Sequence, residues 1–342
     1  MGHALLQHQV DVPPTRRTHS GRGGGSVAPT SALRSGLIGR MHASALDAIG
    51  HTPLIALDRV HPGPGRVVAK AEYSNPGGSI KDRAARQIVL DARESGALAP
   101  GGAVLEMTSG NMGAGLAVVC AVLGHPLVAV MSAGNSPARA RMLEGLGAEV
   151  VLVPQVDGRP GQVTGRDVKV AAAQARILAR DRGAFYVDQF FNPGSVRAHE
   201  RTTGPEIWDQ TERLDAFVAC VGSGGTFVGT MRALRPHGVQ GVAVEPAKAA
   251  VLSTGRVDDP RHVIQGCGYG VVPPKWEPAL CDRVETVTDA EVSAMRRTLA
   301  TREGLYVGFS AAANVVAACR TAARLGEGAV VATVLCDTGL KY

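Results

Sequence analysis

From about residue 50 onward, short apolar runs rich in β-branched residues alternate with longer stretches of helical period. The short runs predict strands at Val67–Glu72, Ala103–Thr108, Pro126–Ser132, Glu149–Pro154, Ala216–Gly222, Val242–Glu245, Val284–Val287 and Val330–Cys336. The stretches between them predict helices at Asp82–Ser95, Asn111–Leu123, Ser136–Leu146, Val170–Arg182, Val196–Gln210, Thr226–Leu234, Ala290–Thr301 and Ala311–Leu325. Several of these follow a Ser, Thr or Asn suited to the N-cap. Apolar strands that alternate with helices imply parallel sheets covered on both faces, and hence an α/β fold. Arg159–Arg166 reads as a polar loop, and no repeat with a period of roughly 20–50 residues is visible.

Length and composition narrow this picture. A chain of 342 residues with 45% apolar content suits two domains at roughly 100–200 residues each. Forty-three glycines and only 4% aromatic residues fit many tight strand–helix turns. The net charge of +6 gathers at the front: residues 1–46 hold five Arg (Arg16, Arg17, Arg22, Arg34, Arg40) against Asp11 alone. The remainder is close to balanced, so no nucleic-acid partner is expected. Six scattered cysteines without a CxxC pair read as reduced core thiols of a cytoplasmic protein. No apolar run reaches the ~18 residues of a membrane span, and no His, Cys and carboxylate cluster has metal-ligand spacing. Residues 1–45 lack periodicity and are rich in Arg, Gly and Ser. They are expected to be disordered, with a targeting segment or a start placed upstream of Met41 as the alternatives.

Three segments carry candidate chemistry. Parallel sheets bind ligands beyond the carboxyl ends of their strands. Thr108, Ser109, Gly110, Asn111 and Met112 follow one such strand and open a helix, a receptor for a carboxylate or an ordinary capped turn. Gly222, Ser223, Gly224, Gly225 and Thr226 follow another. Three glycines and two hydroxyls at a helix start suit a phosphate or form a plain turn, and the order matches neither a Walker loop nor a dinucleotide fingerprint. The third segment is Asn75–Arg83 (NPGGSIKDR), where Lys81 is one of six lysines in an Arg-rich chain. Arg cannot form a Schiff base. An amine, a phosphate cradle and a carboxylate loop together are what pyridoxal 5'-phosphate requires.

At these residues the chain resembles the cysteine synthase and cystathionine β-synthase family, within the tryptophan-synthase-β-like (fold type II) pyridoxal-phosphate enzymes. The resemblance runs from about Ile49 to Tyr342 and rests on ordered motifs: Ile49–Leu54 (IGHTPL), Asn75–Arg83, Thr108–Asn111, Gln189 with Phe190, Asn192 and Pro193, Thr203–Trp208 (TGPEIW), Gly222–Thr226, Gln265–Gly268 and Gly308–Ser310. It implies two doubly wound three-layer domains with mainly parallel sheets. Residues 46–52 and 75–190 would form a smaller, mobile domain for the substrate carboxylate, and residues 53–74 and 191–342 a larger one for the cofactor phosphate. Lys81 would bind the cofactor covalently and later move the substrate α-proton. Gly222, Ser223, Gly224, Gly225 and Thr226 would hold the phosphate, Asn111 the ring oxygen, and Ser310 the pyridine nitrogen. Thr108, Ser109, Gly110, Met112, Gln189, Gly268 and Tyr269 would face the amino-acid substrate. A homodimer is implied as well.

The implied reaction is β-replacement on an O-activated L-serine, O-acetylserine before O-phosphoserine, through an α-aminoacrylate, with sulfide giving L-cysteine. A hydroxyl at Ser310 supports a protonated ring less well than a carboxylate would, which favours loss of a β-substituent over transamination. The chain departs from the family at Met112, where a Thr is usual, and at Cys267 and Tyr269, where small or aliphatic residues are usual. Another small nucleophile, a β-eliminating lyase, or a silent binding paralogue therefore stand beside the main reading. With the sequence running to Asp337–Tyr342 (DTGLKY), no C-terminal regulatory module is expected, and with no Cys in residues 1–45 no haem is expected.

Overall fold

Two sheets organise the chain in the computed structural model, which describes residues 41–342. The expectation of disorder for residues 1–45 falls, up to residue 40, outside the described residues. The strands are β1 (Leu54–Ala56), β2 (Arg66–Lys70), β3 (Val104–Met107), β4 (Leu127–Ser132), β5 (Glu149–Val153), β6 (Phe185–Tyr186), β7 (Ala216–Cys220), β8 (Gln240–Pro246), β9 (Arg283–Val287) and β10 (Val330–Val334). The first sheet has the order β1-β2-β10-β7-β8-β9 and the second β5-β4-β3-β6. Only the β1–β2 pair is antiparallel.

Alternation along the strands explains why helices cover both faces. In the larger sheet Val67, Val218, Val242 and Val331 enter one apolar cluster, and their neighbours Val68, Phe217, Ala243 and Ala332 enter another. The smaller sheet does the same, with Val104 and Ala129 on one side and Leu105, Val128 and Val130 on the other. The α/β architecture with mainly parallel sheets is therefore as expected.

The helices are α1 (Lys81–Glu94), α2 (Asn111–Leu123), α3 (Pro137–Gly145), α4 (Gly165–Asp181), α5 (Gly194–Ala198), α6 (Gly204–Asp209), α7 (Gly225–Leu234), α8 (Val251–Thr254), α9 (Asp289–Thr298) and α10 (Phe309–Leu325). Side-chain caps appear where the sequence offers them. Ser136 caps α3, and Thr164 with Asp167 and Thr288 with Glu291 form capping boxes on α4 and α9. The Thr164 box also starts α4 at Gly165, inside the segment expected to be loop.

The helix expected over Val196–Gln210 runs as α5, a π turn at His199–Thr203, and α6. β1 and β6 were not foreseen. They are three and two residues long, too short for periodicity to register. Among the described residues no helix is long and apolar enough to cross a membrane, and no His, Cys, Asp and Glu group could hold a metal.

Candidate active site

The turn before α1 is pinned from both sides. Asn75 Oδ1 accepts from Gly50 N at 2.9 Å, Asn75 Nδ2 donates to Glu72 O at 2.8 Å, and Gly78 N donates to Asn75 O at 2.7 Å. Ile80 N then bonds Cys336 O beyond the end of β10 at 2.9 Å, so Lys81 opens α1 against the carboxyl edge of the larger sheet. Behind it Arg83 is fully buried. It grips Glu72 through Nε (2.7 Å) and Nη2 (2.8 Å), and Glu206 through Nη1 (2.6 Å) and Nη2 (2.7 Å). Burial alone would weaken its charge, but the two carboxylates hold its pKa well above the ordinary value. Burial likewise opposes ionisation of Glu206, yet Arg83 and Lys70 bring its pKa down to about 2.

The glycine-rich turn follows β7 and opens α7. Gly224 is left-handed with φ of +87°, a conformation open to glycine without penalty. A Cβ on Gly222 would lie 2.2 Å from the Gly266 carbonyl oxygen, so the close pass of these two loops needs a glycine there. Thr226 Oγ1 sits 3.3 Å from His199 Nε2, whose other ring nitrogen lies 2.9 Å from Thr203 Oγ1. Burial first, then Arg83, Lys81 and Lys275, push the His199 pKa well below the ordinary imidazole value, so the ring is neutral.

One cleft of about 520 Å³, including its open mouth, is lined by Lys81, Asn111, Gly222, Ser223, Gly224, Gly225, Thr226 and Ser310, together with Gln265 and three cysteines. These are all the expected cofactor residues. The amine, the anion cradle and the ring-flanking Asn111 and Ser310 face one space, and the shape of the cradle depends on missing Cβ atoms. The residues therefore fit pyridoxal phosphate: Lys81 would bind its aldehyde, Gly222–Thr226 its phosphate, Asn111 and Ser310 its ring. Burial pushes the Cys336 thiol up to about 12, and Cys267 is buried in the apolar cluster with Val244 and Ile264. These thiols pack rather than react.

The expected substrate residues divide. Thr108 Oγ1 accepts from Gly113 N at 3.1 Å and Gly110 N at 3.4 Å, which shapes the turn and leaves the hydroxyl proton to donate. Gln189 follows Asp188, a rare non-glycine left-handed residue at φ of +49°, and its Nε2 donates to Glu106 Oε1 at 3.2 Å. Ser109 lines an adjoining crevice with Met107, Ser132 and Asn135, and its Oγ lies 3.3 Å from Arg139 Nη1. Arg139 also donates to Gln265, linking the two loops across the cleft.

Two of the expected substrate residues pack outside the cleft lining. Met112 is 3% exposed and shares the apolar cluster of the smaller sheet with Leu116 and Leu143. The first turn of α2 rotates it into the core. Gly268 is packed against Pro246 and His262, and its carbonyl lies 3.0 Å from His262 Nε2. It shapes the loop rather than the cleft wall. Tyr269 is half exposed, with its ring edge-on to Phe190 at 5.4 Å between centroids.

Glu106, His199 and Lys275 were not foreseen. His199 and Lys275 reach the site from elements far along the chain, Glu106 lies in β3 just before the Thr108 turn, and no local motif marks any of the three. The one available signal was the rarity of lysine, which applies to Lys275 as it does to Lys81.

Comparison with known proteins agrees with this geometry. The family described as pyridoxal-phosphate dependent enzyme matches residues 45–337. A cysteine synthase of Staphylococcus aureus is 38% identical over 299 residues, covering 86% of this chain and 93% of its own length. The crystal structure of an O-ureido-L-serine synthase superposes with a TM-score of 0.81 at 37% identity, covering 89% of this chain and 94% of that one. That of O-acetyl serine sulfhydrylase isoform 3 from Entamoeba histolytica gives 0.80 at 31% identity, covering 94% and 93%.

Proposed function

The chain belongs to the pyridoxal-phosphate dependent enzymes, in the cysteine synthase family, and from that premise we propose that it replaces the β-substituent of O-acetyl-L-serine with sulfide to give L-cysteine. The observation that carries this reading is the single cleft shared by Lys81, the Gly222–Thr226 cradle and Ser310. When bound, the cofactor supplies an aldehyde that captures amino groups and a ring that withdraws electrons from the substrate α-carbon.

The chain's own residues do the rest. Gly222–Thr226 anchor the phosphate through backbone N–H groups at the start of α7. The Thr108 hydroxyl, the backbone around Ser109 and Gly110, and Gln189 Nε2 hold the substrate carboxylate. Lys81 Nζ would hold the cofactor's aldehyde and is the amine placed in the cleft to take the proton from the substrate α-carbon. Ser310 offers the ring nitrogen a hydroxyl rather than a carboxylate, which favours departure of the β-substituent. Residues 46–52 and 75–190 form the mobile unit that closes on the carboxylate and excludes water.

Steady-state assay of O-acetylserine with sulfide tests the reading. Cysteine should form with the purified holoenzyme, and Lys81→Ala should lose turnover by several orders of magnitude. Pyruvate released faster than cysteine would instead indicate a lyase.

A second reading, with another small nucleophile, draws on Tyr269. Its half-exposed ring, packed on Phe190 beside Gln189, brings a hydroxyl into the region where the nucleophile enters. The likeness to an O-ureido-L-serine synthase points the same way. A panel of nucleophiles decides between the two: strong activity with a non-sulfide nucleophile and none with sulfide selects the second.

The same reading makes the protein a cytoplasmic homodimer. Its six cysteines are free in the structure, as a reducing compartment requires. Sedimentation equilibrium of the holoenzyme checks the assembly.

A further inference from the structure

The chemistry proposed above leaves Lys275 unused, yet its side chain spans the two halves of the site. It leaves its loop against the cradle, with Cβ 3.5 Å from where a Cβ on Gly224 would stand. Its ammonium ends on the opposite loop, donating to Gln189 O at 2.5 Å, to Ser195 Oγ at 2.7 Å and to Asn192 O at 3.4 Å. Ser195 in turn packs on the cradle, its Oγ 2.7 Å from where a Cβ on Gly225 would stand.

All three acceptors are uncharged oxygens. The ammonium thus sits half-buried on neutral partners, beside the positive end of α7 and within the field of Lys81. Burial and the Lys81 charge lower its pKa to about 8, against the opposing pull of Asp188 and Glu106. A cation so placed has no anionic hydrogen-bond partner, and an anion seated at the start of α7 supplies a nearby opposite charge.

We propose that Lys275 is a positioning residue that couples the cofactor's phosphate seat to the substrate-carboxylate site: its ammonium answers the negative charge on the Gly222–Thr226 cradle, and the same bonds fix the backbone of Gln189. The inference rests on the roles given above to the cradle and to Gln189. It assigns one side chain to both subsites.

The test compares wild type with Lys275→Met, Lys275→Gln and Lys275→Arg. Each holoenzyme is resolved and re-equilibrated with pyridoxal 5'-phosphate or with pyridoxal, which lacks the phosphate. Loss of a hydrogen-bonded charge predicts a dissociation constant for pyridoxal 5'-phosphate about tenfold or more higher in the Met and Gln variants. Pyridoxal should bind them within about twofold of wild type, and Lys275→Arg should recover much of the loss. KM for O-acetylserine should rise about tenfold while kcat stays within about threefold, because the Gln189 amide binds rather than reacts.

Equal weakening of both cofactor forms, or no weakening of either, overturns the proposal, as does a fall in kcat with KM unchanged. If the Met and Gln variants do not fold, Lys275→Arg decides: its recovery is partial, so pyridoxal 5'-phosphate should bind about threefold more weakly than to wild type with pyridoxal unchanged, and equal changes in both forms overturn the proposal. The two cofactor constants are read without turnover. A wild type that makes no cysteine therefore sinks the functional reading and leaves this one standing.

Discussion

The amide nitrogen of Gln189 donates to Oε1 of Glu106 across 3.2 Å, while Oε2 of the same carboxyl is buried without a partner. Glu106 lies in β3, 1% exposed, just before the Thr108 turn. Burial first, then the charge of Asp188, raise its pKa to about 8 against the Gln189 bond. At neutral pH it is a carboxylic acid set beside the place where a substrate carboxylate is to be held. Neutral, it orients Gln189 without repelling the ligand; ionised, it repels.

The pH profile of substrate binding follows. KM for O-acetylserine should stay level up to about pH 8 and rise above it as Glu106 ionises. Asp188, Tyr186 and Lys275 are the charged or titratable groups whose fields reach this carboxyl. The Lys275 charge is lost over the same range and adds to the rise. Glu106→Gln should flatten the part due to the carboxyl. Initial rates across pH for both proteins check this, and a variant that keeps the full wild-type limb contradicts it.

The same carboxyl has a stability signature of unusual sign. Its folded pKa lies above the ordinary value of 4.5, so it contributes nothing below that pH, where both states are protonated. As pH rises from about 4.5 to about 8 the unfolded chain ionises first and gains relative to the folded one. Glu106→Gln should therefore be more stable than wild type by a margin that grows across this window and is constant above it. Urea denaturation of the holoenzyme at several pH values measures the margin.

Arg83 is the structural counterpart of Lys81, two residues along the same helix. Replacing it with Met leaves Glu72 buried without its ion-pair partner and Glu206 with Lys70 alone, at 2.8 Å, which should cost about 3–5 kcal/mol. Lysine at this position keeps the charge but not the double bidentate grip, so it should recover only part of the loss. Chemical denaturation of both variants separates these outcomes.

Gly222→Ala tests the close pass of the two cleft loops. The added methyl would meet the Gly266 carbonyl oxygen at 2.2 Å, a contact backbone can relieve only by moving the loop. Cofactor retained after dialysis should fall sharply while the far-UV spectrum is unchanged. Full retention would mean the loop at Gly266 yields without disturbing the phosphate seat.

Much of this was legible in the sequence because it is local. β7 is a continuous apolar run, β3 and β10 are apolar but for Glu106 and Thr333, and the turns that follow β3 and β7 announce themselves by Gly, Ser and Thr at helix starts. Lys81 stands out because so few lysines accompany it. What escaped is what folding assembles from a distance. Glu106 reads as an unremarkable residue at the end of a strand until Gln189 is brought beside it. His199 belongs to a run that reads as plain helix, and only the π turn brings its ring to Thr226. Met112 shows the limit of a local motif: its neighbours in sequence form a turn at a helix start, but the first turn of α2 carries its side chain into the core.

Asn111 gives the sharpest test of how the chain orients the cofactor ring. Its Nδ2 donates to Asp337 Oδ2 at 2.6 Å and its Oδ1 accepts from Lys341 Nζ at 2.8 Å. Lys341 also donates to Gly77 O at 2.8 Å, and Tyr342 OH donates to the same Asp337 oxygen at 2.6 Å. A carboxylate only accepts and an ammonium only donates, so together they fix which end of the amide is nitrogen. The second Nδ2 proton is then the one available to a ring oxygen in the cleft. Asp337→Asn removes that instruction, because an amide can either donate or accept, and the Asn111 side chain can turn its carbonyl toward the ring. Loss of a charge-assisted bond of this kind should weaken cofactor binding about tenfold or more and shift the visible absorption band of the bound cofactor. Asn111→Ala should shift the band in the same direction if the amide nitrogen is the group sensed. A shift from Asn111→Ala without one from Asp337→Asn would mean that Lys341 alone orients the amide.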